Sequence, residues 1–392
     1  MSDIDTLRLE HTASRVHKIL GRAPGQLEAG GVAKPMGSLE STGAESGGAS
    51  SGGPADRDVL AIARRLMASR VQEGRPIGPA EAEGIARTIV ASANRALLKL
   101  DVASNGALNQ AEAIALEAVV HVRGRPAVRV LSEGLEDIGV YPEAGLWKLL
   151  ADEHFKNLWT VTSATAAVRV TDRLIANRPP WVQGTAFLVG PDLALTNRHV
   201  LFPPDGGVRI ARRFPGTNKA RMKGDYEVLL DFAFDNGAAR QILYRIMDVP
   251  FVASDSDPVD AALLRVECVH GAGPSPLAVS RADVFDIDRL YIVGHPGYLE
   301  SVPDDIMAVF GRPDERKRVS FGELMDPVAP EQTHIVHDAS TVGGYSGAAV
   351  VGFAAPDVRA LHYWGDSKSG NRAIPADDIV NHPELGNLLP RP

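Results

Sequence analysis

Aromatic residues divide this chain of 392 residues into two unequal parts. The seven tyrosines, eleven phenylalanines and four tryptophans all lie at or after Tyr141. Residues 1–140 must therefore build any core from aliphatic side chains, which suits small helical packing. The length exceeds that of one ordinary domain, so we expect two or three domains.

A glycine-rich stretch marks a second division. Residues 21–57 hold 10 of the 38 glycines and almost no large apolar side chains. Such a stretch buries too little surface to offset the entropy of ordering, so the sequence predicts a flexible Gly/Ser-rich linker. The preceding residues 1–20 fit one short amphipathic helix, and they fit a frayed tail equally well.

The apolar periodicity changes near residue 160. Apolar residues recur at three- and four-residue intervals from Ile85 to Leu100 and predict a helix over 79–100. Residues 58–160 are accordingly assigned to a helical regulatory domain, with further helices predicted over 58–73, 109–122, 126–137 and 142–157. From about 165, short apolar runs separated by Gly, Pro and Asp are typical of an all-β barrel or sandwich, assigned to residues 161–392.

Composition excludes several classes of protein. Hydrophobic residues make up 44% of the chain and charged residues 23%, which is globular composition. The net charge of −8 leaves no basic excess for binding nucleic acid, and no apolar run reaches the roughly 20 residues of a membrane span. One cysteine, Cys268, excludes an intrachain disulfide, and the acidic start is unlike a signal peptide. We expect a cytoplasmic protein.

Three segments of the β region carry residues suited to nucleophilic catalysis. His199 follows a strand-like run in LALTNRHVL, Asp260 precedes a buried run in DPVDAALLRVE, and Ser346 lies in the glycine-rich segment GGYSGAAVVG. A serine hydroxyl needs an adjacent imidazole base at neutral pH, and the imidazole needs a carboxylate to fix its tautomer. Glycines beside the serine let backbone N–H groups converge into an oxyanion hole.

The order and spacing of these segments resemble those of the trypsin-like (chymotrypsin-fold) serine peptidases. TNRHV resembles the histidine motif of that family, DAALL its aspartate motif and GYSG its serine motif. The resemblance implies a double β-barrel with the active site between the barrels, and so an α+β multidomain chain. It also implies that Ser346 attacks the scissile carbonyl, His199 moves the proton, Asp260 orients His199, and the N–H groups of Gly344 and Ser346 bind the oxyanion. No cofactor is then required for catalysis.

Two departures from the family pattern bear on control and specificity. Tyr345 stands where the trypsin branch has the aspartate that pairs with a newly cut N-terminus. Activation by that pairing is therefore not expected, and the activity must be controlled in another way. Ser340 stands where the trypsin branch has an aspartate that selects basic substrate side chains. His362 stands where bacterial glutamyl endopeptidases carry a carboxylate-binding histidine. The resemblance therefore implies a pocket of Ser340, Thr341 and His362 and cleavage after Glu or Asp.

Two other interpretations of this pocket stay open on the sequence alone. His362 could be a strand residue that packs beside its neighbours Tyr363 and Trp364. Asp338 could reach the pocket instead and favour basic side chains.

Residues 101–112 resemble an EF-hand calcium loop. Ala103 stands where the motif needs an oxygen ligand, and no sister loop follows. The same residues also fit a turn at Asn105 followed by a helix cap at Asn109. Calcium is thus a possible ligand, and the expected ligands are Asp101, Asn105, Ala107 (through its carbonyl), Asn109 and Glu112.

Two functions compete at this point. The first is a regulated intracellular serine endopeptidase that acts on protein or peptide substrates, with a regulatory protein as a possible partner of its N-terminal helices. The second is a calcium-responsive interaction protein whose peptidase domain is inactive and only binds peptides.

Overall fold

The structure is a computed structural model. It describes residues 54–101, 110–141, 144–204, 207–237, 240–297, 308–310, 314–325, 334–341, 344–364 and 371–390. The predicted N-terminal helix over 1–20 and most of the predicted linker over 21–57 lie outside these ranges.

Three helices form the first part of the described chain: α1 (Pro54–Gln72), α2 (Pro79–Asp101) and α3 (Gln110–Arg123). Their shared core is aliphatic, as the absence of early aromatic residues predicts, and is centred on Ile62, Leu66, Leu97 and Leu116. Phe310, from much later in the chain, closes this core.

The helix predicted over 126–137 is wrong. The chain forms strands β1 (Ala127–Leu131) and β2 (Gly134–Leu135) there, followed by a single 3-10 turn at Ile138–Val140. Alternating β-branched residues in Ala-Val-Arg-Val favour a strand, and β1 finds a partner strand far along the chain. Next, two short helices, α4 (Gly145–Glu153) and α5 (Phe155–Ala164), replace the single helix predicted over 142–157.

Six antiparallel strands close the first barrel. The order of neighbours is β10-β5-β4-β3-β8-β9, and β9 pairs back with β10. A short helix α6 (Arg198–Leu201) follows β5, and a hairpin of β6 (Ala211–Arg213) and β7 (Ala220–Met222) lies outside the closed barrel. The barrel strands are β3 (Thr165–Asp172), β4 (Trp181–Gly190), β5 (Leu193–Thr196), β8 (Tyr226–Asp231), β9 (Leu243–Val252) and β10 (Ala262–His270).

Six further strands close the second barrel, in the order β11-β14-β15-β16-β13-β12, with β12 pairing back to β11. Helices α7 (Ala376–Asn381) and α8 (Leu385–Leu388) end the described chain. The fold is therefore the trypsin-like double barrel preceded by a helical part, which confirms the predicted fold class. The barrel strands are β11 (Arg289–Gly294), β12 (Arg318–Met325), β13 (Ile335–His337), β14 (Ala349–Gly352), β15 (Val358–Trp364) and β16 (Asn371–Pro375).

The chain before the barrels is built into the second barrel. β1 pairs antiparallel with the first half of β12, from Ala127 opposite Ser320 to Arg129 opposite Arg318, while β13 pairs with its second half. Trp147 of α4 stacks on the ring of Phe321 with the centroids 5.8 Å apart. Residues 127–164 thus share a hydrophobic core with both barrels.

Buried Lys317 ties three elements together where they meet. Its Nζ donates to the carbonyl oxygens of Thr162 at 2.8 Å and Phe232 at 2.7 Å, and it lies 3.1 Å from Asp235 Oδ1. Burial lowers the pKa of the ammonium group, and the Asp235 carboxylate opposes that shift. The helix α5, the first barrel and the start of β12 therefore meet at one buried charge.

No helix in the described ranges is both long and apolar enough to cross a bilayer.

We predict that Lys317→Met lowers the free energy of unfolding by about 3–5 kcal/mol, because it leaves a buried carboxylate without its partner. Chemical denaturation monitored by tryptophan fluorescence measures the loss. Lys156→Met, at an exposed position of α5, is the matched control and should change little. Equal losses in the two variants would contradict the assignment of Lys317 as a structural ion.

Candidate active site

His199 and Asp260 are joined by two hydrogen bonds. His199 Nδ1 lies 2.6 Å from Asp260 Oδ2, and the His199 backbone N–H donates to Asp260 Oδ1 at 3.1 Å. The side-chain amide of Asn197 donates to the Asp260 carbonyl at 2.8 Å and fixes the backbone that carries the carboxylate. One carboxylate therefore holds both the ring and the main chain of His199, which is the orientation that a catalytic base requires.

The environment of Asp260 favours its charged form. Burial acts to raise the pKa of this carboxyl, but the hydrogen bonds and charge of His199, together with the nearby Arg198 guanidinium, outweigh burial and lower the pKa. Arg198 Nε lies 3.4 Å from Asp260 Oδ1. Asp260 is consequently ionised at neutral pH, where it can stabilise a positive charge on His199.

Two glycines with positive φ shape the turn that carries Ser346. Gly344 has φ +103° and Gly347 has φ +89°, a region that non-glycine residues rarely adopt. A Cβ at Gly347 would also collide with the carbonyl oxygen of Thr185 in the first barrel. Both positions therefore require glycine, and the tight approach of the two barrels depends on it.

Strand β4 of the first barrel holds this turn in place. The Thr185 N–H donates to the Ser346 carbonyl at 2.8 Å, and Thr185 Oγ1 donates to the Gly344 carbonyl at 2.9 Å. Neither the Gly344 N–H nor the Ser346 N–H donates a hydrogen bond within the part of the chain that is described. Two donors predicted to bind an oxyanion thus have no acceptor among the residues with a described structure.

Gly184 lets the segment that carries His199 and the turn that carries Ser346 approach each other closely. A Cβ at this position would lie 2.7 Å from Val200 Cγ2 and 3.2 Å from the Ser346 carbonyl oxygen, so the residue after His199 and Ser346 both contact it. Among the described residues, no direct hydrogen bond joins His199 to Ser346. Such bonds are often long without substrate and shorten in the substrate complex.

Tyr345, predicted to stand where the trypsin branch has an aspartate, has a structural role. The side chain is fully buried, and its hydroxyl accepts a hydrogen bond from Ser320 Oγ at 3.0 Å. Burial raises the pKa of the phenol. Tyr345 therefore anchors the serine turn to β12 as a neutral group.

The three predicted pocket residues lie on the second barrel, close to the serine turn. Ser340 Oγ and Thr341 Oγ1 are buried and find no hydrogen-bond partner in the described part of the chain. His362, on β15, is bound through its backbone to the serine turn, because the Gly347 N–H donates to its carbonyl at 2.9 Å.

The His362 ring is paired with a residue that the sequence analysis did not select. Its Nδ1 lies 3.2 Å from His337 Nε2, in a buried pair of imidazoles. Burial, followed by the nearby His337 and His199, lowers the pKa of His362 well below its usual range. His362 is thus a buried strand residue, but its ring faces another histidine and not only the neighbours Tyr363 and Trp364.

Asp338 is engaged by a residue of the helical part. Arg125 Nε and Nη2 donate to its two carboxylate oxygens, each at 2.7 Å, and Arg125 Nη2 also donates to Glu323 at 3.0 Å. The Glu323 N–H donates to Asp338 Oδ1 at 2.7 Å. This two-point pairing disfavours the interpretation in which Asp338 binds a basic substrate side chain. Nothing in the sequence pattern indicated Arg125.

The predicted calcium loop lies largely outside the described residues. Asn105, Ala107 and Asn109 belong to the undescribed range 102–109, and Asp101 is the last residue of α2. Glu112, the expected ligand at the twelfth position, is ion-paired with Lys99 at 2.8 Å. Across the ranges with a described structure, no group of three or more His, Cys, Asp and Glu side chains converges as a metal site would. Calcium binding stays a prediction.

A known protein family matches part of the two-barrel region. Residues 184–355 match the family model of the trypsin-like peptidase domain. No curated protein sequence matches the chain. The fold is similar to crystal structures of the Rv3671c protease of M. tuberculosis in an inactive form (14% identity, TM-score 0.33, 60% of this chain and 92% of that chain) and an active form (15% identity, TM-score 0.36, 62% and 88%). The family match and the two closed barrels together support a trypsin-like serine peptidase.

We predict that the contribution of Asp260 to stability depends on pH. Because its folded pKa lies below the ordinary value of 3.8, the charged carboxylate stabilises the fold above that pH, and the effect is lost as the pH falls through the folded pKa. The melting temperature of Asp260→Asn should therefore lie below that of the natural protein at pH 7, and the gap should narrow below about pH 4. Asp192→Asn, at an exposed carboxylate, is the control. A gap that stays constant with pH would contradict the predicted stabilisation of the charged form.

Proposed function

We propose that this protein is a serine endopeptidase that hydrolyses peptide bonds through Ser346, His199 and Asp260. The observation that carries the proposal is the two-point attachment of His199 to Asp260 beside a serine turn that the opposite barrel holds in place. A histidine buried only for packing needs neither the ionised carboxylate nor the adjacent glycine-dependent turn.

The reaction follows from the roles of these three side chains. Ser346 Oγ attacks the carbonyl carbon of the scissile bond while His199 Nε2 takes the hydroxyl proton, and Asp260 stabilises the imidazolium that forms. The N–H groups of Gly344 and Ser346 bind the oxyanion of the tetrahedral intermediate. His199 then gives the proton to the leaving amine, and water attacks the acyl-enzyme by the same route. Trypsin-like peptidases need no cofactor for these steps.

We further propose that the enzyme cleaves after Glu or Asp. The hydroxyls of Ser340 and Thr341, which find no partner among the described residues, could donate to a substrate carboxylate, and a buried donor without a partner costs free energy until a ligand supplies one. The His337–His362 pair adds a second polar surface next to them. An incoming carboxylate would favour protonation of these imidazoles, which supports its binding.

Regulation through the helical part is the third element of the proposal. Arg125, just after α3, holds Asp338 at the start of the segment that runs through Ser340 and Thr341 to the serine turn. The Arg125 guanidinium also lies over the Trp147 ring, 5.4 Å from its centroid, so the helices fix its position. A displacement of these helices, by a regulatory protein or by calcium at 101–112, would therefore act on the pocket. We propose the cytoplasm as the site of this activity.

A second candidate function is a peptide-binding protein with an inactive peptidase domain. It is favoured by the lack of a direct hydrogen bond between His199 and Ser346 in the described structure.

Covalent labelling separates the two functions. A fluorophosphonate probe should label the natural protein at Ser346, and Ser346→Ala should abolish labelling and lower peptide turnover by about 10⁶-fold, since the nucleophile is removed. Ser256→Ala, at a serine in the exposed loop before Asp260, is the matched control and should retain both. Absence of labelling in the natural protein, with and without calcium, would support the peptide-binding function.

A mixed peptide library, digested with calcium and with a chelator, tests specificity in the same samples. Cleavage after Glu or Asp is the expected result, and cleavage after Arg or Lys would overturn the role given to His362. Equal rates in the two conditions would leave residues 101–112 as a structural turn.

We predict that Arg125→Met lowers kcat/KM by about 10²-fold, because a small misplacement of catalytic groups has an effect of that size. The loss should appear in the rate of fluorophosphonate labelling as well as in turnover, and Arg125→Lys should restore part of both. Arg65→Met is the matched control, because Arg65 is a buried arginine of α1 that pairs with Glu136 at 2.9 Å and has no hydrogen bond or ion pair with the described residues of 338–347. Equal losses of activity in Arg125→Met and Arg65→Met would reduce Arg125 to a general stabilising residue.

A further inference from the structure

A strongly basic hairpin lies beside the catalytic cleft. Residues 209–223, which include β6 and β7, contain six basic residues and no acidic residue in a chain whose net charge is −8. We call this segment the basic hairpin. Its basic residues are Arg209, Arg212, Arg213, Lys219, Arg221 and Lys223.

The pairing within the basic hairpin brings like charges together. Arg212 lies directly opposite Arg221 in the register of β6 and β7. Opposed like charges weaken a strand pair, so this arrangement does not serve the stability of the hairpin. A cluster of cations that costs stability is suited to a ligand of opposite charge.

The hairpin opens into the same cleft as the catalytic pair. A cleft of about 850 Å³ is lined by both His199 and Asp260 and by Tyr363 of the second barrel. Five basic side chains share its wall: Arg198, Arg209, Arg212, Arg213 and Lys223.

Two of these five cations have anionic partners. Arg198 and Arg213 lie 3.0 and 3.5 Å from the carboxylate of Asp255, and Arg213 also donates to the carbonyl oxygens of Val252 and Ala253. They belong to the framework of the cleft wall.

The other three cations carry the positive charge of the cleft. Arg209, Arg212 and Lys223 form no ion pair with any residue of the described ranges. Arg209 and Arg212 are exposed and Lys223 is half-buried. The concave wall beside His199 therefore presents three cations to whatever enters the cleft.

We propose that the basic hairpin binds acidic side chains of a polypeptide substrate at positions remote from the scissile bond. The inference rests on the proposed peptidase function and adds a second recognition site to it. The predicted pocket for the residue at the scissile bond lies on the second barrel, whereas this site lies on the first barrel. The preferred substrate is then a segment rich in Asp and Glu, and not a single acidic residue in a neutral sequence.

Electrostatics predicts which kinetic parameters the site controls. A single exposed ion pair contributes little, but several like charges in a concave wall concentrate field lines and raise the local concentration of an oppositely charged ligand. The site should therefore act on binding and KM, with a strong dependence on salt, and leave kcat nearly unchanged.

The test measures peptide binding without hydrolysis. The full chain carrying Ser346→Ala is titrated with a fluorescent peptide that has four Asp and Glu residues, and with the same peptide carrying Asn and Gln instead. At 50 mM salt the acidic peptide should bind about tenfold more tightly or better, and 500 mM salt should remove most of the preference. Equal binding of the two peptides would overturn the proposal.

A charge-matched pair of variants locates the site. In the Ser346→Ala background, Arg209→Gln with Arg212→Gln and Lys223→Gln should abolish the preference. Lys156→Gln with Arg245→Gln and Arg281→Gln removes the same charge from exposed positions elsewhere and should retain it. Equal loss in both variants would assign the preference to net charge and overturn the site. Because Arg212 opposes Arg221, the triple variant should keep its melting temperature, and this value is measured beside binding so that a loss of binding can be separated from unfolding.

Two further measurements identify the class of ligand and test the peptidase proposal separately. Tighter binding of a single-stranded oligonucleotide or of phosphatidylserine vesicles than of the acidic peptide would overturn the polypeptide as the ligand. Turnover by the natural protein is measured separately. A clear acidic preference in Ser346→Ala together with no turnover by the natural protein would support the site while the peptidase proposal fails.

Discussion

The hydrogen bonds that Thr185 makes across the barrel interface determine where the serine lies. Its N–H and its hydroxyl bind the carbonyl oxygens of Ser346 and Gly344, so one strand of the first barrel fixes the turn of the second. His199 and Asp260 both come from the first barrel. The hydrogen bonds of Thr185 therefore set the distance between His199 and Ser346, and the two barrels must dock before these residues come together.

The sequence predicted the features that depend on local chemistry. Short apolar runs predicted an all-β barrel or sandwich, and the resemblance of three motifs to the trypsin-like peptidases implied the double barrel and the proximity of His199 to Asp260. The strand at 127–131 was missed although Ala-Val-Arg-Val alternates, because so short a run indicates a strand only when its partner is known, and β12 lies nearly 200 residues away in sequence. Arg125 was missed for the same reason, since a lone arginine shows no pattern until its carboxylate partner is known.

Tertiary pairing explains why the surroundings of His362 could not be predicted from the sequence. His362 was predicted to bind a carboxylate, and its ring lies next to that of His337, whose proximity 25 residues earlier in the chain only the β-barrel reveals. The basic residues over 209–223 were visible in the sequence, but their position in the same cleft as His199 and Asp260 was not. The basic hairpin lies outside the closed barrel, and only the folded structure shows which cleft it borders.

The position of β1 has a consequence for the barrel that it joins. β1 covers the half of the β12 edge that β13 leaves open, through the backbone of Ala127 to Arg129. A strand edge with unsatisfied N–H and C=O groups is a template for pairing with another chain. A chain that begins at residue 161 would lack β1, expose this edge and be expected to aggregate, so β1 also limits self-association.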